Sequence, residues 1–264
     1  MRRRTLLLLG CLGSSAAQRL LALDEARGES DPLMSPQWPS LRRQYLGDAP
    51  MRFTPQVIVR TPTFAEDAMN VPLQVDARAL AITGGGIQRI MVIVDRNPIR
   101  EVLSYEPLRA LPMLSLRIRL EQGSPVRAMV LTRDGRWHVG GALAQAAGGG
   151  CTVPSNSRAN GSWKQTLNQV QARVFEPGLD GARRLRVRIM HPMDTGLVAG
   201  IPAFFVERLE MQDPGGEVWW RLALHEPVSE NPLLTFDLPG GTARRFRLLG
   251  QDNNGNRIDF EIPS

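Results

Sequence analysis

Residues Arg184-Leu185-Arg186-Val187-Arg188-Ile189 alternate between an arginine and an aliphatic side chain. Successive side chains of a β-strand point to opposite faces of the sheet, so this stretch predicts a strand with one buried and one solvated face. Other segments show the same alternation, or short apolar runs bounded by turn residues. The predicted strands are 56–60, 71–76, 87–95, 114–120, 126–132 and 137–141 in the first half, and 170–175, 185–190, 204–211, 218–224, 233–237, 244–249 and 257–262 in the second.

Turn signals separate these strands. Asp134-Gly135 is a hairpin signal, and Asn254-Gly255 between two strands predicts a type I′ turn. The stretch Trp38–Gly47 predicts a short helix that Ser40 caps and Gly47 ends. About seven strands in about 100 residues is the spacing of an immunoglobulin-like sandwich. We therefore predict an all-β protein with two immunoglobulin-like β-sandwich domains, joined by a Gly-rich linker and preceded by a short N-terminal helix.

The composition favours a globular protein and argues against two other classes. Of 264 residues, 42% are hydrophobic and 22% charged, which suits a packed core. The net charge is +6, but the arginines are scattered and no basic run is interleaved with aromatic residues, so we predict no nucleic-acid binding. After the N-terminus no apolar run is long enough to span a membrane.

The N-terminus predicts an export signal over residues 1–26. Arg2-Arg3-Arg4 precedes the apolar run 5–10, and small residues follow at 13–17. This order resembles a twin-arginine leader, and Leu8-Leu9-Gly10-Cys11 offers the alternative of a lipoprotein processing box. We predict a periplasmic protein in which removal of the leader beyond Cys11 leaves Cys151 as the sole thiol.

The stretch Gly148-Gly149-Gly150-Cys151 lies in the low-hydrophobicity segment between the two groups of strands. Three glycines give the backbone wide conformational freedom and leave no side chain to pack. We therefore predict that Cys151 is an exposed thiol on a movable arm, with a pKa near the ordinary value of about 8.5. The predicted organisation is a linker at 27–35, a first sandwich at 36–143, the arm and linker at 144–162 and a second sandwich at 163–264.

No metal or cofactor site is predicted. His138, His191 and His225 are far apart and lack ligand spacing with cysteine or acidic residues. The glycine in the stretch 252–256 is misplaced for an EF-hand loop, and the stretch 84–86 lacks the spacing and helix of a nucleotide-binding loop.

Several motifs together carry a family resemblance. The glycines and Cys151 after an immunoglobulin-like domain resemble SoxY, the sulfur-carrying subunit of the periplasmic sulfur-oxidation (Sox) system, which ends in a Gly-Gly-Cys-Gly-Gly arm. The second half resembles the partner SoxZ. The residues that carry the second resemblance are His191-Pro192-Met193-Asp194-Thr195-Gly196, Pro202-Ala203-Phe204-Phe205, Val228-Ser229-Glu230-Asn231-Pro232 and Asp252-Asn253-Asn254-Gly255. The chain is thus similar to a fused SoxY–SoxZ protein, and to SoxYZ-like carriers associated with quinoprotein dehydrogenases.

The resemblance implies a carrier that is not itself an enzyme. Cys151 would hold sulfur-oxidation intermediates covalently for partner enzymes, and the glycines at 148–150 would make the arm flexible. Apart from the resemblance, Arg158, seven residues after the cysteine, is a candidate to favour the thiolate or to pair with a bound sulfonate. The chain departs from the family because its arm is tethered at both ends and Thr152-Val153-Pro154 replaces the glycines after the cysteine.

Two alternatives to a carrier stay open. One is a non-covalent accessory protein of a periplasmic quinoprotein dehydrogenase, for which Cys151 would be dispensable. The other is a thiol enzyme, which needs a base held close to Cys151. The sequence leaves the pathway and the cargo undetermined.

Overall fold

The computed structural model describes residues 30–83, 86–241 and 245–263, and it confirms the all-β prediction. The helices are α1 (Trp38–Leu46), α2 (Arg78–Thr83), α3 (Asn156–Asn160) and α4 (Trp163–Thr166). The strands of the first half are β1 (Met51–Phe53), β2 (Ile58–Arg60), β3 (Phe64–Ala65), β4 (Val71–Asp76), β5 (Ile87–Val94), β6 (Glu101–Glu106), β7 (Met113–Ile118), β8 (Ser124–Thr132) and β9 (Trp137–Ala146). Those of the second half are β10 (Val170–Val174), β11 (Arg183–Ile189), β12 (Val206–Gln212), β13 (Val218–Leu224), β14 (Leu233–Leu238), β15 (Phe246–Asp252) and β16 (Arg257–Ile262).

The strands form two sheets, and both sheets contain strands from both halves of the chain. The larger sheet has the order β1-β9-β8-β5-β6-β13-β12-β15-β16, with β3 also paired to β9. The smaller sheet has the order β10-β11-β14-β7-β4-β2. The halves join where β6 pairs with β13 and where β7 pairs with β14, in both cases antiparallel. The two halves therefore share both sheets and pack tightly against each other.

The alternation in β11 has the predicted consequence. Leu185, Val187 and Ile189 are fully buried, whereas the arginines between them face solvent. A ring stack joins the core of the two halves. Trp220 stacks on Phe236 with ring centroids 4.3 Å apart, and Tyr105 from the first half lies 5.6 Å from Phe236 on another side.

Helix α1 covers the outer face of the larger sheet in the first half. Its buried residues are Trp38, Leu41 and Leu46, which pack in a separate cluster with residues of β5, β8 and β9. The predicted cap is wrong, because the helix starts before Ser40 and the Ser40 hydroxyl donates to the backbone oxygen of Gln37. Gly47 ends the helix at a φ of 60°, as predicted.

One further prediction, a type I′ turn, differs from the structure. At Asn254-Gly255 only Gly255 has a positive φ, so the turn is not type I′. The Asp252 carboxylate organises it instead, by accepting the backbone N–H groups of Asn254 and Asn256. The strands β1, β3 and β6 were not predicted. The export signal, Cys11, Gly84 and Gly85 lie outside the described residues.

Candidate functional site

The predicted arm is shorter than expected and is bound along its length. Strand β9 continues to Ala146 and α3 begins at Asn156, so only residues 147–155 lie between regular elements. We call this segment the cysteine loop. The Gly149 N–H donates to the Glu121 backbone oxygen at 2.9 Å, and the Gly150 N–H donates to the Leu120 backbone oxygen at 2.9 Å. These bonds fix the loop against the segment that follows β7.

Close packing accounts for Gly150, whereas the flexibility expected of residues 148–150 stays a prediction. A Cβ atom on Gly150 would lie 2.1 Å from the Ala68 backbone oxygen and 2.7 Å from that of Leu120, far inside van der Waals contact. Only a residue without a side chain fits there. Gly148 and Gly149 adopt φ values of 96° and 75°, a region that favours glycine.

Cys151 is buried, which corrects the prediction of an exposed thiol. Its fractional exposure is 1%. The backbone on both sides of its Cα is held, because its N–H donates to Glu121 Oε2 at 3.1 Å and its carbonyl oxygen accepts from Thr195 Oγ1 at 2.7 Å. Burial raises the pKa of the Cys151 thiol to about 12; the Glu121 carboxylate adds to this and Arg119 opposes it. At neutral pH the thiol is therefore protonated and unreactive in this conformation of the cysteine loop, which we call the closed loop.

Arg119 is the cation beside this thiol. It is fully buried and donates to four backbone oxygens: Nη1 to Gly150 and Val153 at 3.2 and 3.4 Å, and Nη2 to Pro192 and Met193 at 3.5 and 3.2 Å. Its Nε has no hydrogen-bond partner. Burial lowers the pKa of Arg119, while Cys151 and three nearby carboxylates oppose that shift. The guanidinium thus ties the cysteine loop to the second half of the chain.

Arg158 does not take the predicted place next to Cys151. Its guanidinium binds the buried Asp194 carboxylate through Nε and Nη2, and it lies over the Trp163 ring at 4.1 Å. The same carboxylate accepts from Ser155 Oγ at 3.2 Å. Arg158 therefore anchors the C-terminal end of the cysteine loop, and the charged groups that shift the thiol pKa are Glu121 and Arg119.

Two family models match the chain on either side of this site. The model described as sulfur oxidation protein SoxY matches residues 42–151, and the model described as sulphur oxidation protein SoxZ matches residues 176–262. The first match ends at Cys151, and together the two cover most of the chain. The chain belongs to the SoxYZ family of sulfur-oxidation carriers, with both partners fused.

Comparison with other proteins adds three distant structural neighbours. Among curated proteins, none matches the chain significantly. The sulfur carrier protein SoxY from Chlorobium limicola f thiosulfatophilum is 20% identical at a TM-score of 0.36, over 41% of this chain and 90% of its own. A putative membrane anchored protein from Corynebacterium diphtheriae is 10% identical (TM-score 0.25; 78% of this chain, 57% of its own). A tetra-tandem repeat of a large adhesion protein is 12% identical (TM-score 0.27; 79% of this chain, 48% of its own). The family assignment rests on the two sequence matches.

The SoxZ half supplies the other wall of the site through the loop 191–196. His191 shapes this loop, because its Nδ1 accepts the Met193 N–H at 3.1 Å. Its Nε2 faces the buried Asp252 carboxylate at 3.6 Å. Burial lowers the pKa of His191 to about 4, an effect that Asp252 opposes. The neutral imidazole therefore helps to present the Pro192 and Met193 carbonyls to Arg119.

The other two histidines lie elsewhere. His138 Nδ1 accepts from Arg52 Nε, and His225 pairs with Glu101. Within the described residues there is no group of three or more His, Cys, Asp or Glu side chains that could hold a metal ion. No described helix is long and apolar enough to cross a membrane.

Sequence reasoning missed Arg119, Glu121 and Thr195. Arg119 continues the alternation of Leu114, Leu116 and Ile118, which predicted that it faces solvent. In the structure β7 ends at Ile118, so the alternation stops and Arg119 turns inward. Glu121 and Thr195 carry no signal in the sequence that marks a contact with a cysteine.

Proposed function

We propose that this fused SoxYZ protein is a periplasmic covalent carrier that holds sulfur-oxidation intermediates on Cys151 for processing by partner enzymes. The observation that carries the proposal is the position of Cys151. It is the last residue of the SoxY match and touches the SoxZ half through Thr195. It is also the free cysteine of the described chain. In this proposal the protein performs no catalysis alone.

The chemistry suits a thiol without a cofactor. A Cys151 thiolate attacks the sulfane sulfur of a donor that carries a persulfide or thiosulfonate bond. The new S–S bond forms on Cys151, the donor's S–S bond breaks, and its electron pair leaves with the donor thiolate or sulfite. The thiol proton passes to solvent. Oxidation states balance within this exchange, so no external oxidant is needed, and the reverse attack unloads the cargo.

Cargo loading requires the cysteine loop to open. A thiol with a pKa of about 12 is almost entirely protonated at neutral pH, and at 1% exposure a sulfur donor cannot reach it. An exposed thiol with a pKa of about 8.5 has a few per cent of thiolate under the same conditions. The reactive species is therefore the thiolate of the open loop, and we propose that a docked partner enzyme stabilises that state.

The expected export signal at residues 1–26 and the family membership support a periplasmic location. Sulfur-oxidation enzymes are the partners that the family implies. A quinoprotein dehydrogenase is the second partner class, in line with the resemblance to SoxYZ-like carriers associated with such enzymes.

Intact-mass measurement of protein isolated from periplasm tests the carrier function. We expect a mass increase of one or more sulfur atoms, or of a sulfonate, that reductant removes and that Cys151→Ser lacks. Cys151→Ala serves as a second variant, since alanine suits a buried, mostly apolar site. A thiol that stays unmodified in cells growing on reduced sulfur, together with full sulfur oxidation by Cys151→Ser cells, would refute the proposal.

The burial of Cys151 favours one alternative, a non-covalent accessory protein of a quinoprotein dehydrogenase. A sealed thiol in a loop bound at both ends suits a structural side chain as well as a carrier in its resting state. Under this alternative Cys151→Ser supports full dehydrogenase activity, and pull-down of the dehydrogenase is unchanged. Under the carrier function the variant still binds its partners but turnover is lost.

A further inference from the structure

We propose that Glu121 is a positioning residue that locks Cys151 in its closed position, and that Thr195 completes the lock from the SoxZ half. This inference rests on the proposed role of Cys151 as the cargo attachment site. The lock keeps the empty carrier unreactive until the cysteine loop is released.

Three consecutive residues after β7 hold the cysteine loop, and Glu121 makes the contacts nearest to the thiol. Its carboxylate accepts the Cys151 N–H at 3.1 Å and the Thr152 hydroxyl at 3.1 and 3.3 Å. Its backbone oxygen accepts the Gly149 N–H. One residue therefore binds the loop before, at and after the cysteine. Hydrogen bonds to a carboxylate are about twice as strong as those between neutral groups.

Glu121 is itself fixed by a buried amide. The Asn97 side chain is 2% exposed; its Oδ1 accepts the Glu121 N–H at 3.0 Å and its Nδ2 donates to the Arg119 backbone oxygen at 2.8 Å. The backbone that carries both charged neighbours of Cys151 is thus set by one side chain from the loop after β5. A carboxylate on such a support keeps its position without the cysteine loop.

The SoxZ half holds the same residue from the other side. Thr195 is 5% exposed and donates its hydroxyl to the Cys151 carbonyl oxygen at 2.7 Å. Two residues earlier, Met193 has a φ of 50°, a strained conformation that residues with a side chain rarely adopt. The loop 191–196 is therefore held under backbone strain by the contacts it makes, Arg119 and Cys151 among them. Both halves must release the cysteine for it to leave.

The charge of Glu121 acts in the same direction as the lock, and the charge of Arg119 opposes it. Glu121 and Arg119 are the charged groups that act on Cys151, and Arg119 in turn faces Glu230, Asp194 and Asp67. A Cys151 thiolate inside the closed loop would lie next to the Glu121 carboxylate. Like charges this close disfavour ionisation, so the thiolate forms after the loop has moved away from Glu121. Glu121 thus opposes both the opening of the loop and the ionisation of the closed thiol.

The test is the rate at which iodoacetamide alkylates Cys151 in the folded full-length protein at pH 7.5, which needs no cargo or partner. We expect the wild-type rate to be at least 100-fold below that of the same protein in denaturant. Glu121→Gln removes the charge and keeps one acceptor, so its rate should rise at least tenfold. Thr195→Val should raise the rate severalfold, because it removes the hydrogen bond to the Cys151 carbonyl oxygen.

Glu230→Gln is the matched control. The Glu230 carboxylate also binds backbone N–H groups of this region, those of Asn156 and Ser157 at 2.7 Å, but it does not contact Cys151. Its alkylation rate should stay within about twofold of wild type. Hydrogen exchange supplies a second readout: in Glu121→Gln, protection should fall at residues 149–151 by the same factor as alkylation rises, while β5 keeps its protection.

The outcomes separate this inference from the carrier function. Equal alkylation rates for Glu121→Gln, Glu230→Gln and wild type overturn the lock, whatever cargo the protein carries. Loss of protection throughout β5 in Glu121→Gln also overturns it, because the residue would then stabilise the whole fold. A confirmed lock without any adduct on Cys151 in cells would leave the lock in place and refute the carrier function. If Glu121→Gln does not fold, Thr195→Val decides: a wild-type rate in that variant overturns the lock.

Discussion

Replacement of Gly150 by alanine separates close packing from flexibility as the reason for the glycines before Cys151. The new Cβ would lie 2.1 Å from the Ala68 backbone oxygen and 2.6 Å from its carbonyl carbon, where ordinary contacts are 3.4 Å or longer. The closed loop cannot hold this atom unless its backbone shifts by about an ångström. Overpacking of this kind costs roughly 1–3 kcal/mol.

That cost is similar to the free energy that holds the loop closed. The Gly149 and Gly150 N–H bonds contribute about 1 kcal/mol each, and the bond from Cys151 to a carboxylate somewhat more. Since about 1.4 kcal/mol changes an equilibrium constant tenfold, a cost of about 1.4–2.8 kcal/mol, within the range for overpacking, should raise the population of the open loop in Gly150→Ala by about 10–100-fold. Gly149→Ala is the control, because its Cβ meets no atom within 4 Å and only the φ of 75° causes strain, of about 1 kcal/mol.

The assay is the reaction of the folded protein with a thiol-specific disulfide reagent at pH 7.5, alongside thermal unfolding. Gly150→Ala should react about 10–100-fold faster than wild type, and Gly149→Ala no more than about fivefold faster. If the glycines serve flexibility, alanine at 150 makes the chain stiffer. It would then stabilise the protein by about 0.4–1 kcal/mol and leave the thiol no more reactive. A slower or unchanged reaction in Gly150→Ala would therefore refute close packing at this position.

Three further predictions concern stability. Burial lowers the pKa of His191 to about 4, below its ordinary value of about 6.5, so the unfolded chain binds the proton first. The contribution of His191 to the free energy of unfolding is then fully present above pH 6.5 and falls by up to about 3 kcal/mol as pH drops to 4. Urea unfolding of His191→Asn should lack this pH-dependent loss, and a pH dependence equal to that of wild type would contradict the prediction. Arg119→Met should lower the free energy of unfolding by about 3 kcal/mol in the same assay, because it leaves four carbonyl groups without a donor. A loss under about 1 kcal/mol would show that the fold does not need the guanidinium. Cleavage of the chain between α3 and α4 should leave the halves associated in native mass spectrometry, since strand pairing joins them in both sheets, and dissociation would contradict that interface.

The sequence predicted the strands well where one face is buried and the other solvated. The bounds of β4, β13 and β16 agree with the structure to the residue, because their alternation continues over the whole strand. It did not predict β1 and β3, which have three and two residues and pair in parallel with β9. Strands this short give no periodic pattern, and their position depends on a neighbour elsewhere in the chain.

The sequence pattern also did not predict that the two halves of the chain share both sheets. Each half has enough strands for a sandwich, but which edges pair depends on their shape and exposure after folding. At the join, Leu103 pairs with Leu224 and Phe236 with Leu114, residues that any buried strand would place inward. Hydrophobic pattern therefore predicts burial here and does not select the partner strand.

The sequence placed Cys151 at the junction of the SoxY-like and SoxZ-like parts, but it did not predict the burial of the thiol. The contacts that close the loop join its backbone groups to distant side chains, those of Arg119, Glu121 and Thr195, and depend on the close approach at Gly150. The order of residue types along the chain does not reveal such contacts. The expectation that Arg158 would serve the thiol came from closeness in sequence, whereas Arg158 binds Asp194 and the cation beside the thiol is Arg119, from the segment after β7.

The length of the cysteine loop limits what a partner enzyme can be. Cys151 lies five residues after the end of β9 at Ala146 and five before the start of α3 at Asn156. At about 3.4 Å per extended residue, the cysteine can move no more than about 17 Å from either anchor, and less when both hold. A free C-terminal tail of the family type has one anchor and can enter a channel end-on. This loop must enter as a doubled chain, which needs a wider opening. Under the proposed carrier function, the enzymes that act on Cys151 should therefore have shallow, open sites.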